Sequence, residues 1–99
     1  MDNKRKPAPT TGLDMKAVTL ISEAGDLSSL EPSFGAVRTA LNGALLEPVT
    51  LSTGDVLLVD EEGLLRRLPF NNVASLLSGR PLVGKVAYVP KKLVKKVLG

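Results

Sequence analysis

The amino-acid sequence predicts an α+β fold: a single domain with a mostly antiparallel sheet of about five strands, two helices, and a short basic C-terminal helix or tail. Three observations lead there. Ninety-nine residues are enough for one hydrophobic core and too few for two. Most short apolar runs in the middle of the chain are separated by brief polar loops, which suit antiparallel hairpins, because a parallel crossover needs about a dozen residues or more. One segment, Leu30 to Leu41, instead repeats its apolar residues at helical spacing. The resulting order is strand, helix, three-stranded meander, short helix, strand.

Residues 1–13 are polar, contain Pro7 and Pro9, and are short of large apolar side chains that could offset the entropy of ordering them. They are expected to form a disordered tail. The folded domain is expected to span 14–90. Its first strand is Met15 to Ile21, rich in β-branched residues and ended by the turn Glu23-Ala24-Gly25-Asp26. Ser28 or Ser29 can then cap a helix that holds Pro32 in its first turn, where the missing N–H costs little. Leu30, Phe34, Val37 and Leu41 make its apolar stripe, and Asn42-Gly43 stops it.

Three strand-like runs follow, Ala44 to Leu51, Asp55 to Val59 and Leu64 to Leu68, separated by Ser52-Thr53-Gly54 and by Asp60-Glu61-Glu62-Gly63. Pro48 requires the first to lie at an edge or a bulge. Val56-Leu57-Leu58-Val59 is apolar at every position, so this strand should be covered on both faces, by a helix on one side and by a partner or the C-terminal segment on the other. Asn71 or Asn72 can cap a short helix through Leu77, with Val73, Leu76 and Leu77 turned inward and Gly79-Arg80-Pro81 ending it. Leu82 to Val89 reads as the last strand, in which Gly84 marks a bulge or a close backbone approach.

In the closing segment 91–99, a helix would separate Leu93, Val94, Val97 and Leu98 from Lys91, Lys92, Lys95 and Lys96. So short a helix is marginal alone. Docking onto the sheet or onto a second subunit is expected, ahead of a basic amphipathic anchor on a membrane surface. The four lysines are the candidate interaction residues.

Composition excludes several chemistries. Cys and His are both absent, which removes thiol nucleophiles, Ser-His and Cys-His pairs, disulfides and imidazole-ligated metals. No P-loop or dinucleotide-binding glycine motif occurs. No catalytic residue, metal or cofactor is therefore expected. The net charge of +3 belongs to the ends: residues 1–14 carry +1, residues 90–99 carry +4, and the body between them carries −2. Nucleic-acid binding is thus confined to the basic tails, since basic body surface and stacking aromatics are scarce. No apolar run reaches the ~18 residues of a membrane span, and the charged start has no apolar stretch behind it, so a cytoplasmic protein without a secretory signal is expected.

One stretch concentrates polar chemistry. Residues 60–72 place three carboxylates, Arg66, Arg67, Asn71 and Asn72 within thirteen positions. Adjacent carboxylates on a turn diverge, and Gly63 suits a turn with positive φ, so Asp60, Glu61 and Glu62 read as a solvated turn, ahead of a metal site or a carboxylate-based enzyme using Glu61 or Glu62. In a strand Arg66 and Arg67 would point to opposite faces. One guanidinium can pair with Asp55 or Asp60 across strands, or recognise a phosphate or carboxylate. The asparagines read as a helix cap and its neighbour, or as a carboxamide offered to a planar ligand. Arg66, Arg67, Asn71 and Asn72 are accordingly the candidate ligand-binding residues, for a small anionic ligand.

The middle of the chain resembles a family of small phage and mobile-element proteins catalogued as a domain of unknown function. The resemblance is carried by Leu41-Asn42-Gly43, by Val59-Asp60-Glu61-Glu62-Gly63, by Leu68-Pro69-Phe70-Asn71-Asn72-Val73-Ala74 and by Leu82-Val83-Gly84-Lys85-Val86. It covers somewhat over half of the chain, and the basic tails fall outside it. It implies a viral or mobile-element origin and an α+β fold, and it implies no activity. Phage proteins of this size commonly sequester a host nucleotide, occlude a host protein or join a small oligomer. A non-enzymatic binding protein is expected, as a homo-oligomer acting on a small anionic ligand or a host protein. The alternative is a nucleic-acid or membrane-surface accessory acting through its tails.

Overall fold

The computed structural model describes residues 15–99. The tail expected over residues 1–13 lies outside the described residues. Five strands form one antiparallel sheet in the order β2-β1-β5-β4-β3, with β1 at Val18–Ile21, β2 at Leu27–Leu30, β3 at Leu46–Thr50, β4 at Val56–Asp60 and β5 at Val86–Val89. Three helices cover it: α1 at Phe34–Ala40, α2 at Asn72–Ser78 and α3 at Lys91–Leu98.

The two faces of the sheet carry two separate apolar layers. Along β4, Val56 and Leu58 point to a layer shared with Val37 and Leu41 of the α1 region and Val97 of α3. Leu57 and Val59 point to the opposite layer, shared with Ala74 at the inner face of α2 and with Leu82 and Val86. Alternation on a pleated strand produces this division. It explains why Val56 to Val59 are all apolar, and the covering helices all belong to this chain. The C-terminal segment docks as expected, with Val97 buried and Leu93 and Val94 half-buried. Pro48 lies in β3, an edge strand, as its missing N–H requires.

Two elements differ from the sequence expectation. Leu27–Leu30 is a strand, paired with β1 through Ile21↔Leu27 and Val18↔Leu30, so neither Ser28 nor Ser29 caps a helix. The cap of α1 is Ser33, whose Oγ accepts from Ala36 N at 3.1 Å, and Pro32 precedes it. Helix α1 is shorter at its N-terminus by one turn, and Phe34 at its start is exposed. Its end is as expected: Gly43 N donates to Arg38 O at 2.8 Å, with Asn42 and Gly43 both at positive φ.

Leu64 to Leu68 is not a strand. Strand β4 already has β3 on one side and β5 on the other, so β4 has no free edge for a further hairpin partner. Residues 61–67 instead form consecutive turns, closed by Arg67 N to Leu64 O at 3.1 Å and Leu68 N to Gly63 O at 3.1 Å. The sheet has five strands because β2 takes the place expected for 64–68. The last strand is also shorter than expected. Val83 forms only an isolated bridge with Phe70, and regular pairing starts at Val86.

Candidate functional site

The turn after β4 is built by Asp60. Its Oδ1 accepts from Glu62 N at 2.8 Å, and its backbone O accepts from Gly63 N at 3.0 Å. Gly63 does not have positive φ; the left-handed residue of this segment is Arg67, at φ 55°. Glycine is required at 63 by space, since a Cβ there would come 2.8 Å from Val83 Cγ2 and 3.3 Å from Asp60 O.

Arg66 and Arg67 are separated by turn geometry rather than by pleating. Arg66 folds back on the turn, with Nε 3.4 Å from Asp60 Oδ2 and Nη2 3.4 Å from Glu62 Oε1. The pairing with Asp60 weighed from sequence is therefore present, though within the turn and not across strands. The Asp60 side chain is 8% exposed, so Arg66 neutralises a nearly buried carboxylate. Arg67 is exposed.

Asn71 is a structural hub. It is 0% exposed, and its Oδ1 accepts from Ala74 N at 3.0 Å, capping α2. Its Nδ2 donates to Gly84 O at 2.8 Å and to Ile21 O at 3.1 Å. Both amide protons are thus used to join the start of α2 to the end of β1 and the approach to β5. Asn72, the first residue of α2, is exposed. The structure therefore does not bring the four candidate ligand residues together: Asn71 is enclosed, Arg66 is exposed but engaged by two carboxylates, and Arg67 and Asn72 are exposed on separate elements.

Two other features occupy the surface. A cleft of about 90 Å³ lies between Glu23, Asn42, Asp60, Arg66 and Lys85. Its charges are mixed. A larger open groove is lined by Phe70, Asn72, Leu76, Arg80 and Pro81, and a neighbouring cleft that shares Arg80 and Pro81 reaches Glu47, Glu61 and Leu64. Arg80, rather than Arg66 or Arg67, is the guanidinium that shares a groove with Asn72.

This region is unusually apolar for a surface. Leu64, Leu65 and Leu76 are 81%, 82% and 84% exposed, and Phe70 is 51% exposed. Leu76 was expected to face inward; the buried position of α2 is Ala74. The spacing of Val73, Leu76 and Leu77 could not separate these, because a seven-residue helix has nearly as many apolar positions outside as inside.

Below α3 lies a polar cluster that the sequence reading missed. Asp55 is 6% exposed; Oδ1 accepts from Lys91 N at 2.7 Å, and Oδ2 accepts from the Thr53 and Tyr88 hydroxyls. Burial raises its pKa, but the hydrogen bonds from Tyr88, Lys91 and Thr53 and the Lys91 charge outweigh this and hold it below the usual carboxylate value. Burial and the adjacent carboxylate push the Tyr88 phenol up to about 12. Asp55 acts as a remote N-cap for α3, whose own cap residue, Pro90, offers no side-chain acceptor. The signal in the sequence was Thr53-Gly54-Asp55, a hydroxyl and a carboxylate two residues apart at a turn.

Lys91, Lys92, Lys95 and Lys96 are all exposed on α3. Among the described residues no three metal-ligating side chains cluster, and no helix is long and apolar enough to cross a membrane. In comparisons with known proteins the chain matches no family model, no curated protein and no solved structure.

Proposed function

We propose that this chain is a non-catalytic interaction protein of phage or mobile-element type, acting in the host cytoplasm as a homodimer. The observation that carries the reading is the exposure of Leu64, Phe70 and Leu76 around Arg80 and Pro81. Apolar side chains left in water while the chain buries two complete layers elsewhere are characteristic of contact surfaces. A second copy is favoured as occupant because the face is self-complementary. Its grooves hold the guanidinium of Arg80 and, besides Asp60, which is paired with Arg66, the carboxylates Glu47 and Glu61, neither in an ion pair with Arg80. Two-fold pairing can set each guanidinium against the other copy's carboxylates and the leucines against each other. The apolar faces of β4 and α3 do not contribute to this reading, since both are covered within the chain. Concentration-dependent amide shifts test it. On dilution they should centre on residues 61–67 and α2, and an absence of change there, or change centred on α3, would contradict it.

A second reading rests on α3. Among the described residues the ammonium groups of its four exposed lysines form no ion pair, which suits phosphate contacts on nucleic acid. Binding to duplex DNA that weakens steeply with salt and is lost on Lys95→Glu with Lys96→Glu would support it; salt-insensitive binding, or none, would not.

A further inference from the structure

The sheet ends in two edges of different kinds. β3 exposes Glu47 and holds Pro48 at its centre, where the missing N–H interrupts any added ladder. β2 has neither device. Leu27-Ser28-Ser29-Leu30 contains no proline and no charge, and its first three residues are exposed.

The β1–β2 ladder fixes which backbone groups look outward. Ser22 N donates to Asp26 O at 2.9 Å, continuous with the pairs Ile21↔Leu27 and Leu20↔Ser28. Hydrogen-bonded and non-bonded pairs alternate in an antiparallel ladder, so Asp26, Ser28 and Leu30 bond toward β1. The N–H and C=O groups of Leu27 and Ser29 therefore face away from the sheet.

Charge then selects the occupant. Asp26 and Glu31 stand just beyond the two ends of β2, both exposed and neither in an ion pair with a described residue. Pairing β2 with β2 of a second copy about Ser28 would set Asp26 opposite the second copy's Leu30 and leave all four carboxylates without a cation. A cationic strand meets the opposite situation. We propose that the outer edge of β2 is a docking site for an extended basic peptide segment of a partner protein, which adds a sixth strand through Leu27 and Ser29 and sets cations against Asp26 and Glu31. The two carboxylates are five positions apart, so a six-residue strand with a lysine at each end matches both, and strand alternation places each lysine on the face of its carboxylate. This surface is separate from the apolar face assigned to self-association, so either can fail without the other.

The test is titration of the isotope-labelled full chain with acetyl-Lys-Val-Thr-Val-Thr-Lys-amide, read by amide shifts and hydrogen exchange. Shifts should centre on Leu27 and Ser29, whose amides should exchange more slowly in the complex. The same peptide with glutamates at its ends should bind at least about fivefold more weakly. Ser29→Pro removes an outward N–H without removing a β1–β2 bond and should abolish binding. Asp26→Lys with Glu31→Lys changes only exposed side chains and should reverse the preference between the two peptides, a readout that stands if the proline variant fails to fold. Equal affinity for both peptides, shifts centred on another element, or Leu27 and Ser29 amides already protected before peptide is added would each overturn the proposal.

Discussion

The Tyr88 hydroxyl, from the middle of the sheet, donates to Asp55 Oδ2 while Asp55 Oδ1 receives the first backbone N–H of α3 at 2.7 Å. One carboxylate thereby joins the β3–β4 turn, β5 and the C-terminal helix.

Asp55→Ala should remove the side-chain acceptor that caps the α3 N-terminus and leave the buried Tyr88 hydroxyl without its carboxylate. The expected loss is about 2–4 kcal/mol. Tyr88→Phe removes one of three donors and should cost about 1 kcal/mol. Urea unfolding of both variants checks the order. Equal losses would show that Asp55 does not hold α3.

The same pair shapes the pH dependence. Asp55 has a folded pKa below its unfolded value, near about 3.9, so its contribution is complete above that value and is lost as pH falls through the lower folded pKa. Tyr88 is raised from 10.0 to about 12, so its contribution is complete below pH 10 and is lost as pH rises across that interval. Melting temperature against pH should therefore fall at both ends for the wild type. Tyr88→Phe should flatten the alkaline fall; an alkaline limb unchanged by this substitution would contradict the assignment.

Asn71→Ala should be the most damaging single change in residues 60–72. It removes the α2 cap and the hydrogen bonds to the carbonyls of Ile21 and Gly84, for a loss of roughly 3 kcal/mol. Asn71→Asp keeps the cap acceptor but offers no donor to the two carbonyls, and should not rescue stability. Thermal or urea unfolding measures both, and near-wild-type stability of either variant would show that the hub is dispensable.

The α+β class, the edge position of Pro48, the doubly covered β4 and the docking of the last helix were legible because each follows from local pattern. Gly84 was read as a close approach, and a Cβ there would come 2.7 Å from Leu68 Cδ1, at φ 77°. The two misread elements share a cause. Leu27–Leu30 and Leu64–Leu68 are both short and apolar at their ends, and which becomes a strand depends on which sheet edge is free. That is a property of the assembled sheet, invisible to spacing. Asn71 was legible as a cap, but its two donor contacts lie 50 and 13 residues away, beyond any local signal. The resemblance segments Asp60 to Gly63 and Leu68 to Ala74 coincide with architectural residues, the turn builder Asp60, the enclosed Gly63, the hub Asn71 and the buried Ala74. Within these segments, those four residues hold the fold together.

Sedimentation velocity across micromolar concentrations, on the wild type and on Leu64→Asp and Leu76→Asp, tests self-association through the apolar face most directly. The wild type should sediment with a mass of twice 10.4 kDa. Both variants should sediment as folded monomers, with the unfolding midpoint that the wild type shows when diluted to monomer, because these side chains are 81% and 84% exposed in the single chain. A wild type that stays monomeric at about 100 μM, a concentration at which a standard-size interface would be occupied, would contradict it, as would a dimer that neither substitution weakens.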